Sequence, residues 1–309
     1  MFKIVSAQIL ILVLTLSAFG QNGSPTQTVP DIPAWVAPPP RTKEKTIFAP
    51  KPSEGNNIFK GDGEKWLSDA VIKLEAGNLT PIKDKTVSDY VSKVGNNLVA
   101  YSTAPKLSYE FVVLDDEEIN AVCIGAGRIY INLGLLKVVE SEDELAGVIA
   151  HEIGHNVLGH LPKTVTRQLF WMKGITKVNT STDAEAALDA LNKAYRKNDF
   201  AAFGELLLGF SRNDELAADK SGVYTMYKAG YNPAFFNDFL RRDVQSSKKE
   251  LGDNYDLTQF LTFLLGNHPP SSQRITALKW ESNWIKLPPK KMQYKNAAFD
   301  AMKARVAKM

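Results

Sequence analysis

Three of the four histidines in this 309-residue chain, His151, His155 and His160, fall within ten positions. The first two enclose the sequence His-Glu-Ile-Gly-His, in which Glu152 follows the first histidine. On a helix, residues four apart share a face, so both side chains would point to a common site. Two imidazoles on one face suit two ligand positions of a tetrahedral zinc site, and Glu152 lies near enough to hold a water molecule there. The spacing therefore predicts a zinc-dependent hydrolytic centre; the simpler alternative is a buried helix with two hydrogen-bonded histidines.

A helix around these histidines is predicted independently of them. Ser141, followed three residues later by Glu144, has the pattern of a capping box at a helix N-terminus. Apolar residues then recur at helical spacing, namely Leu145, Val148, Ile149 and Val157. We therefore expect a helix that begins after Ser141, carries both histidines and loses its regular pattern near Pro162.

A catalytic zinc site needs three protein ligands and an open position, so a third ligand must lie elsewhere in the chain. The leading candidate is Glu215, in the stretch Ser-Arg-Asn-Asp-Glu-Leu-Ala-Ala-Asp that starts at Ser211. Glu215 and Asp219 are four residues apart, so a helix would place both on one face. The first could bind the metal while the second accepts a proton from a ligand histidine and fixes its ring. Asp214 is the alternative third ligand.

Together with two further stretches, these motifs resemble the zinc metallopeptidases of the CAAX prenyl protease and HtpX family. Residues 119–136, which include Asn-Ala and Gly-Arg-Ile-Tyr-Ile-Asn-Leu-Gly-Leu-Leu, resemble the family stretch N-A-F-A-x-P-G-G-x-I-Y-V-x-x-G-L-L. Residues 267–275, Asn-His-Pro-Pro-Ser-Ser-Gln-Arg-Ile, resemble its H-P-P-x-x-x-R-I element. The similarity extends over residues 84–278. The family's Pro-Gly-Gly turn is here Gly125-Ala126-Gly127, which leaves the shape of the substrate edge open.

The resemblance implies an α+β, mainly helical zincin-like domain, with a small β-sheet beside the His-Glu-x-x-His helix and one Zn²⁺ per chain. It implies that the zinc ligands are His151, His155 and Glu215. Glu152 would be the general base that takes a proton from the attacking water and later delivers it to the leaving amine. Asp219 would be the hydrogen-bond partner of His151.

The same resemblance assigns roles to residues farther from the metal. His268 would face the cleft and help to hold the substrate or the oxyanion. The strand around Asn120 and Ala121 would form the edge that pairs with an extended peptide. Arg274 would pair with a carboxylate near the site, and His160 is expected to be structural.

The first twenty residues have the pattern of an export signal. Lys3 supplies the positive start, residues 9–14 an apolar centre, and Ala-Phe-Gly at 18–20 a small-x-small cleavage site. An uncleaved membrane anchor is the alternative. Since no other run reaches the roughly 18 apolar residues that span a bilayer, we expect an exported protein, periplasmic or otherwise extracytoplasmic, with membrane contact only through an uncleaved N-terminus.

Domain boundaries follow from shifts in composition. Residues 21–59 are rich in proline and polar residues and predict a linker or strap; residues 60–287 would form the metallopeptidase domain, and 288–309 a basic C-terminal tail. Strand signals at 119–124 and 128–132 predict a hairpin. Helices are expected within 64–76, 84–101, 163–208, 211–229, 233–245, 257–265 and 271–284.

Composition excludes some functions. Hydrophobic residues make up 44% and charged residues 23% of the chain, as in soluble globular proteins. The net charge of +3 is too small to indicate a nucleic-acid partner. The single cysteine, Cys123, excludes an intrachain disulfide and is expected to be a small buried apolar residue.

The resemblance and the export signal together predict an endopeptidase of the soluble exported bacterial branch, without the helical-repeat extension of some members. Its substrates would be unfolded or misassembled cell-envelope proteins, in protein quality control. Two alternatives stay open: a binding protein that keeps the zinc fold without cutting, and a zymogen gated by the strap or by residues 163–208.

Overall fold

The computed structural model describes residues 57–76, 79–103, 107–197, 210–251, 272–285 and 296–309. The predicted export signal, most of the predicted strap, the expected helix at 257–265 and His268 lie outside these ranges. In chain order the elements are α1 (Gly63–Glu75), α2 (Lys85–Tyr101), β1 (Glu110–Leu114), β2 (Ala121–Cys123), β3 (Arg128–Asn132), α3 (Leu133–Val138), α4 (Glu142–Leu158), α5 (His160–Lys173), α6 (Ser181–Lys197), α7 (Arg212–Ala229), α8 (Pro233–Leu251), α9 (Ser272–Ile285) and α10 (Ala297–Val306). The mainly helical α+β prediction is confirmed.

The three strands form one mixed sheet in the order β1-β3-β2. β2 pairs with β3 in antiparallel fashion, with Val122 opposite Tyr130, as expected for a hairpin. β1 pairs with β3 in parallel. β2 therefore forms one edge of the sheet.

The turn between β2 and β3 runs through three successive residues with positive φ, Gly125 (81°), Ala126 (51°) and Gly127 (79°). Side chains disfavour this left-handed region, which is why glycine dominates such turns. At Gly127 a Cβ atom would also lie only 2.7 Å from the Ser108 carbonyl oxygen. Glycine at this position therefore lets the turn pack closely against the segment that leads into β1.

Helix α4 is the centre of the fold, since every residue from Glu144 to Leu158 is buried. A helix that is buried all round must have neighbours on each side, and α4 contacts β2, α2, α7 and α8. The Ser141 hydroxyl accepts from the Glu144 N–H (3.2 Å), as the capping pattern predicts. The Glu144 carboxylate, however, accepts from the Glu140 N–H (2.7 Å) and pairs with Arg242.

The histidine-rich stretch is not one continuous helix. α4 ends at Leu158, and Gly159 adopts a left-handed conformation (φ 62°), as glycine often does after a helix C-terminus. α5 then begins at His160. Pro162 falls in the first turn of α5, where a missing backbone N–H costs nothing, so the expectation that it ends the regular pattern is wrong.

Two apolar clusters hold these elements together. One joins the sheet, α2, α4, α7 and α8, and the other joins α1, α5 and α6. Phe59, at the end of the predicted strap, is 1% exposed and belongs to the second cluster. Helix α10, within the predicted tail, adds three buried side chains to the first, Phe299, Met302 and Val306. Among the described elements, no helix has both the length and the apolar character that a membrane span requires.

Candidate metal centre

His151 and His155 on α4 converge with Glu215 on α7. The two histidine Nε2 atoms are 2.9 Å apart. Each lies 3.4 Å from a different oxygen of Glu215, Oε2 for His151 and Oε1 for His155. All three residues are at most 3% exposed, and among the described residues they form the group that could hold a metal ion.

Close contact between α4 and α7 brings these side chains together. A Cβ atom added at Gly154 would lie 2.8 Å from the Ala218 carbonyl oxygen of α7. One added at Gly222 of α7 would lie 3.2 Å from the backbone nitrogen of His151. The two helices therefore touch backbone to backbone at two glycines, one from each helix. This contact brings Glu215 to the histidines of α4.

The far side of each histidine ring faces a partner that orients it. Nδ1 of His151 lies 2.8 Å from Oδ1 of Asp219. Nδ1 of His155 lies 2.8 Å from Nδ1 of His160. Burial lowers the pKa of His160 to about 4, so its ring is neutral and can accept a hydrogen bond.

If both Nδ1 atoms carry protons, both Nε2 atoms direct lone pairs towards each other and towards the Glu215 carboxylate. Such an arrangement of acceptors is repulsive unless a cation lies among them. Two imidazole nitrogens and a carboxylate are a donor set that zinc and related divalent metals accept. The residues therefore fit a metal ion.

Arg274 connects two buried carboxylates behind this group. Its Nε and one terminal nitrogen donate to Asp219 (2.8 and 2.7 Å), and the other terminal nitrogen lies 3.0 Å from Glu215 Oε2. Burial acts to raise the pKa of Asp219, but the charge of Arg274 and its hydrogen bonds hold that pKa below its usual value. Asp219 is thus an ionised acceptor for His151. The sequence does not say which carboxylate pairs with Arg274; in the structure Arg274 pairs with two, Asp219 and Glu215.

The groups around His151 favour a positive charge on its ring or next to it. Burial and the charge of Arg274 both act to lower the pKa of His151, but hydrogen bonds to Asp219 and Glu215 outweigh them and raise it to about 9. A proton or a metal ion could supply that charge, since both respond to the same carboxylates.

Glu152 is 1% exposed and is anchored by the sheet. Its Oε2 accepts from the Cys123 N–H of β2 at 2.9 Å. Burial raises the pKa of the Cys123 thiol, and its sulfur lies 3.8 Å from the Asn156 side chain. The cysteine therefore contributes its backbone to the site, and its thiol is a small buried group, as expected.

Successive residues of β2 turn their backbone groups alternately towards β3 and away from it. The Asn120 carbonyl accepts from the Asn132 N–H of β3 (3.0 Å) and so faces into the sheet. Cys123 turns its N–H away from β3, towards Glu152. Ala121 lies two residues before Cys123 in the strand, so its backbone N–H and C=O also point away from β3. Of the two predicted substrate-edge residues, Ala121 therefore presents its backbone to the edge, whereas the Asn120 carbonyl does not.

Two residues near the site were not identified from the sequence. Asn156 accepts from the Gly127 N–H (3.0 Å) and donates to the Tyr109 hydroxyl (2.8 Å). The Phe210 ring stacks on His155 with centroids 4.1 Å apart. An amide directly before the apolar pair Val157-Leu158 of the predicted helix is the signal that could have identified Asn156, because buried amides need partners.

The alternative third ligand, Asp214, lies away from the metal group. Its Oδ1 is 3.6 Å from Nε2 of His160. Its Oδ2 accepts from the Ser211 N–H (3.0 Å) and hydroxyl (2.6 Å), which caps α7. His268, predicted to face the cleft, lies outside the described residues.

Comparison with known proteins extends these observations. The chain is 24% identical over 202 residues to the beta-barrel assembly-enhancing protease of Escherichia coli K12, a match that covers 63% of this chain and 40% of that protein. It is 32% identical over 168 residues to mitochondrial metalloendopeptidase OMA1 of Arabidopsis thaliana, covering 54% and 30%. Metalloprotease YcaL of E. coli K12 is 22% identical over 234 residues, covering 72% and 83%. The matches to the beta-barrel assembly-enhancing proteases span about two fifths of those relatives.

The family profile of Peptidase family M48 matches residues 86–282, well over half of the chain. This range begins in α2 and ends in α9, and it includes both helices of the candidate centre. The prediction of a metallopeptidase is thereby confirmed at the level of the family: the chain belongs to Peptidase family M48.

Proposed function

We propose that this protein is a zinc-dependent endopeptidase that hydrolyses peptide bonds in proteins of the cell envelope. The observation that carries the proposal is the buried convergence of two imidazole nitrogens and the Glu215 carboxylate, with Glu152 next to one of the histidines. This donor set leaves coordination positions for water and substrate, as catalytic zinc sites require.

His151, His155 and Glu215 would hold one zinc ion per chain. When bound, zinc would supply Lewis acidity towards the peptide carbonyl and the attacking water. Glu152 would then act as the general base: it takes the proton from the water as the carbonyl is attacked and delivers it to the leaving amine. The Cys123 N–H, 2.9 Å from Oε2, orients this carboxylate.

An extended peptide would bind along the side of β2 that faces away from β3. Exposed strand edges pair readily with an added strand, and the main-chain hydrogen bonds are independent of the peptide's sequence. The backbone of Ala121 would supply such bonds, beside the strand position that holds Glu152. Asn120 would contribute its side chain, and His268 would help to hold the oxyanion.

The envelope setting rests on two independent features. The first is the export signal in residues 1–20. The second is that several relatives are named for enhancing the assembly of β-barrels. We therefore propose the exported bacterial branch of the CAAX prenyl protease and HtpX group, acting outside the cytoplasm on unfolded or misassembled envelope proteins in quality control.

The proposal is tested with the full chain by metal analysis and by cleavage of casein with and without a chelator. We expect one bound zinc, and cleavage that stops on chelation and returns with added zinc. Glu152→Gln should keep the zinc but lose about 10²- to 10⁴-fold in cleavage rate, the usual contribution of a general base. Lys85→Gln, at an exposed position of α2, is the matched control. Cleavage by Glu152→Gln at the wild-type rate would contradict the mechanism; suppression of aggregation without cleavage would favour the binding-protein alternative.

A further inference from the structure

We propose that His160 is a positioning residue that fixes the tautomer and orientation of the metal ligand His155. The inference rests on the proposed zinc site and adds a function for a histidine that the motif leaves unexplained. Its basis is the 2.8 Å contact between the two Nδ1 atoms. The two residues are 4% and 1% exposed, so water cannot readily replace either partner.

The chemistry of the contact determines its direction. To bind a metal through Nε2, neutral His155 must carry its proton on Nδ1. That proton can only be donated to an acceptor, so Nδ1 of His160 must be unprotonated. Neutral His160 then carries its own proton on Nε2, which faces Oδ1 of Asp214 at 3.6 Å. The chain Asp214, His160, His155 thus has one consistent arrangement of protons.

The backbone explains why His160 can reach back to a residue only five positions earlier. On an uninterrupted helix, residues five apart are rotated well away from each other. The left-handed turn at Gly159 ends α4 and starts α5 at His160, which lets the ring of His160 meet that of His155. The centroids of these two rings are 4.8 Å apart and their planes are inclined by 73°.

The partner of His160 is itself held in place. Asp214 forms a capping box with Ser211 at the start of α7, the helix that carries Glu215. Phe210, immediately before this cap, stacks on His155 and lies 5.8 Å from His160 between ring centroids. His160 therefore links the end of α4 and the start of α5 to the first turn of α7, and the two metal-binding histidines have unlike partners: a carboxylate for His151, a neutral imidazole for His155.

The test measures zinc affinity of the full chain by competition with a chromogenic chelator, together with the visible spectrum of the Co²⁺-substituted protein. His160→Leu keeps bulk but removes the acceptor, and we expect zinc to bind about 10- to 100-fold more weakly, as when other orienting partners of metal ligands are lost. We also expect a changed Co²⁺ spectrum. Asp219→Leu, which likewise removes the acceptor behind His151, should weaken zinc binding to a comparable extent or more.

A second pair of variants keeps the test decisive if His160→Leu does not fold. Asn places an acceptor near the position of Nδ1, whereas Gln places it near that of Nε2. We expect His160→Asn to recover most of the zinc affinity and the native Co²⁺ spectrum, and His160→Gln to recover neither. Equal affinities for Asn and Gln, or a His160→Leu protein with wild-type affinity and spectrum, would overturn the inference.

These outcomes separate this inference from the proposed function. A wild-type chain that binds no zinc would overturn both. Zinc binding that depends on His160 in a chain that cleaves no peptide would support the positioning role and overturn the endopeptidase. Zinc-dependent cleavage with wild-type metal affinity in His160→Leu would overturn only the positioning role.

Discussion

At the scale of single residues, Asn156 shows how α4, which carries the candidate metal-binding histidines, is joined to the β2–β3 hairpin, the proposed substrate edge. Its side-chain oxygen accepts from the Gly127 N–H in the β2–β3 turn, and its nitrogen donates to the Tyr109 hydroxyl ahead of β1. Asn156 is 5% exposed, so neither bond is easily replaced by water. The Asn156 side chain therefore fixes the position of the β2–β3 turn relative to α4.

Replacing Asn156 by Ala should loosen the edge hairpin but leave the metal ligands in place. We expect a several-fold higher KM for peptides with unchanged zinc affinity. The free energy of unfolding should fall by about 1–3 kcal/mol, since the Gly127 N–H loses its partner in a buried place. Tyr109→Phe, which loses only the hydroxyl, should show a smaller change in both. Peptide kinetics, chelator competition and urea unfolding measure these effects. An unchanged KM would show that the hydrogen bonds of Asn156 do not influence the proposed substrate edge.

The residues predicted from the sequence are those with a distinctive type at a distinctive spacing. His151 and His155 share a face, as their spacing predicts, and Glu215 meets them, as the need for a third ligand predicts. The anchor of Glu152 could not be predicted in this way, because it is a backbone N–H that any residue except proline would supply at position 123. Arg274 was recognised, but its position between two carboxylates depends on the packing of α9 against α7.

At the scale of helices and strands, the approach of α4 to α7 decides whether a metal site exists. Gly154, inside the His-Glu-Ile-Gly-His motif, faces the Ala218 carbonyl across this contact. Gly222 faces the backbone of α4 at Ala150 and His151. A Cβ atom added at Gly154 would lie 2.8 Å from its nearest neighbour, and one added at Gly222 would lie 3.2 Å away. The contact is therefore tighter at Gly154.

Gly154→Ala should therefore destabilise the protein even though alanine favours helices by about 1 kcal/mol over glycine. The methyl group would meet backbone, which cannot rotate away, and overpacking of this kind costs about 1–3 kcal/mol. Separation of the helices should also weaken zinc binding, because Glu215 moves with α7. Gly222→Ala, with more room, should have a smaller effect on both. The measurements are urea unfolding and chelator competition, and a Gly154→Ala protein more stable than wild type would contradict the close-contact argument.

The strand and helix positions were largely predictable, but the break within the histidine-rich stretch was not. The sequence contains both Gly159 and Pro162, and the proline alone predicts the end of the helical pattern. In the structure the glycine ends α4, and the proline occupies the first turn of α5. Their order, Gly at a helix end and Pro just inside the next helix start, follows the usual asymmetry of helix ends. The parallel pairing of β1 with β3 could not be inferred locally, because it joins strands that do not follow each other in the chain.

At the scale of the whole molecule, the two ends of the described chain are part of the fold. The composition of residues 288–309 suggests a tail, yet α10 packs against α2 and α3. Lys303 extends this contact: its ammonium donates to three backbone carbonyls at and after the end of α3, those of Leu136, Lys137 and Val139. The basic residues of α10 thus bind the end of α3 and pair with Asp84, while its apolar residues are buried in the core.

A chain that stops at residue 295 should consequently lose stability and catalysis although every proposed metal ligand remains. It would lack Phe299, Met302 and Val306, each at most 6% exposed. Full burial of such a side chain contributes about 1.5–3 kcal/mol, so the combined loss is comparable with the roughly 5–15 kcal/mol that stabilises a whole domain. We expect a much lower melting temperature and loss of zinc-dependent cleavage at temperatures where the full chain is active. A chain that stops at Val306 removes only exposed residues and should behave like the full chain. If both truncated proteins have the melting temperature of the full chain, α10 does not contribute to the stability of the core that holds the proposed metal ligands.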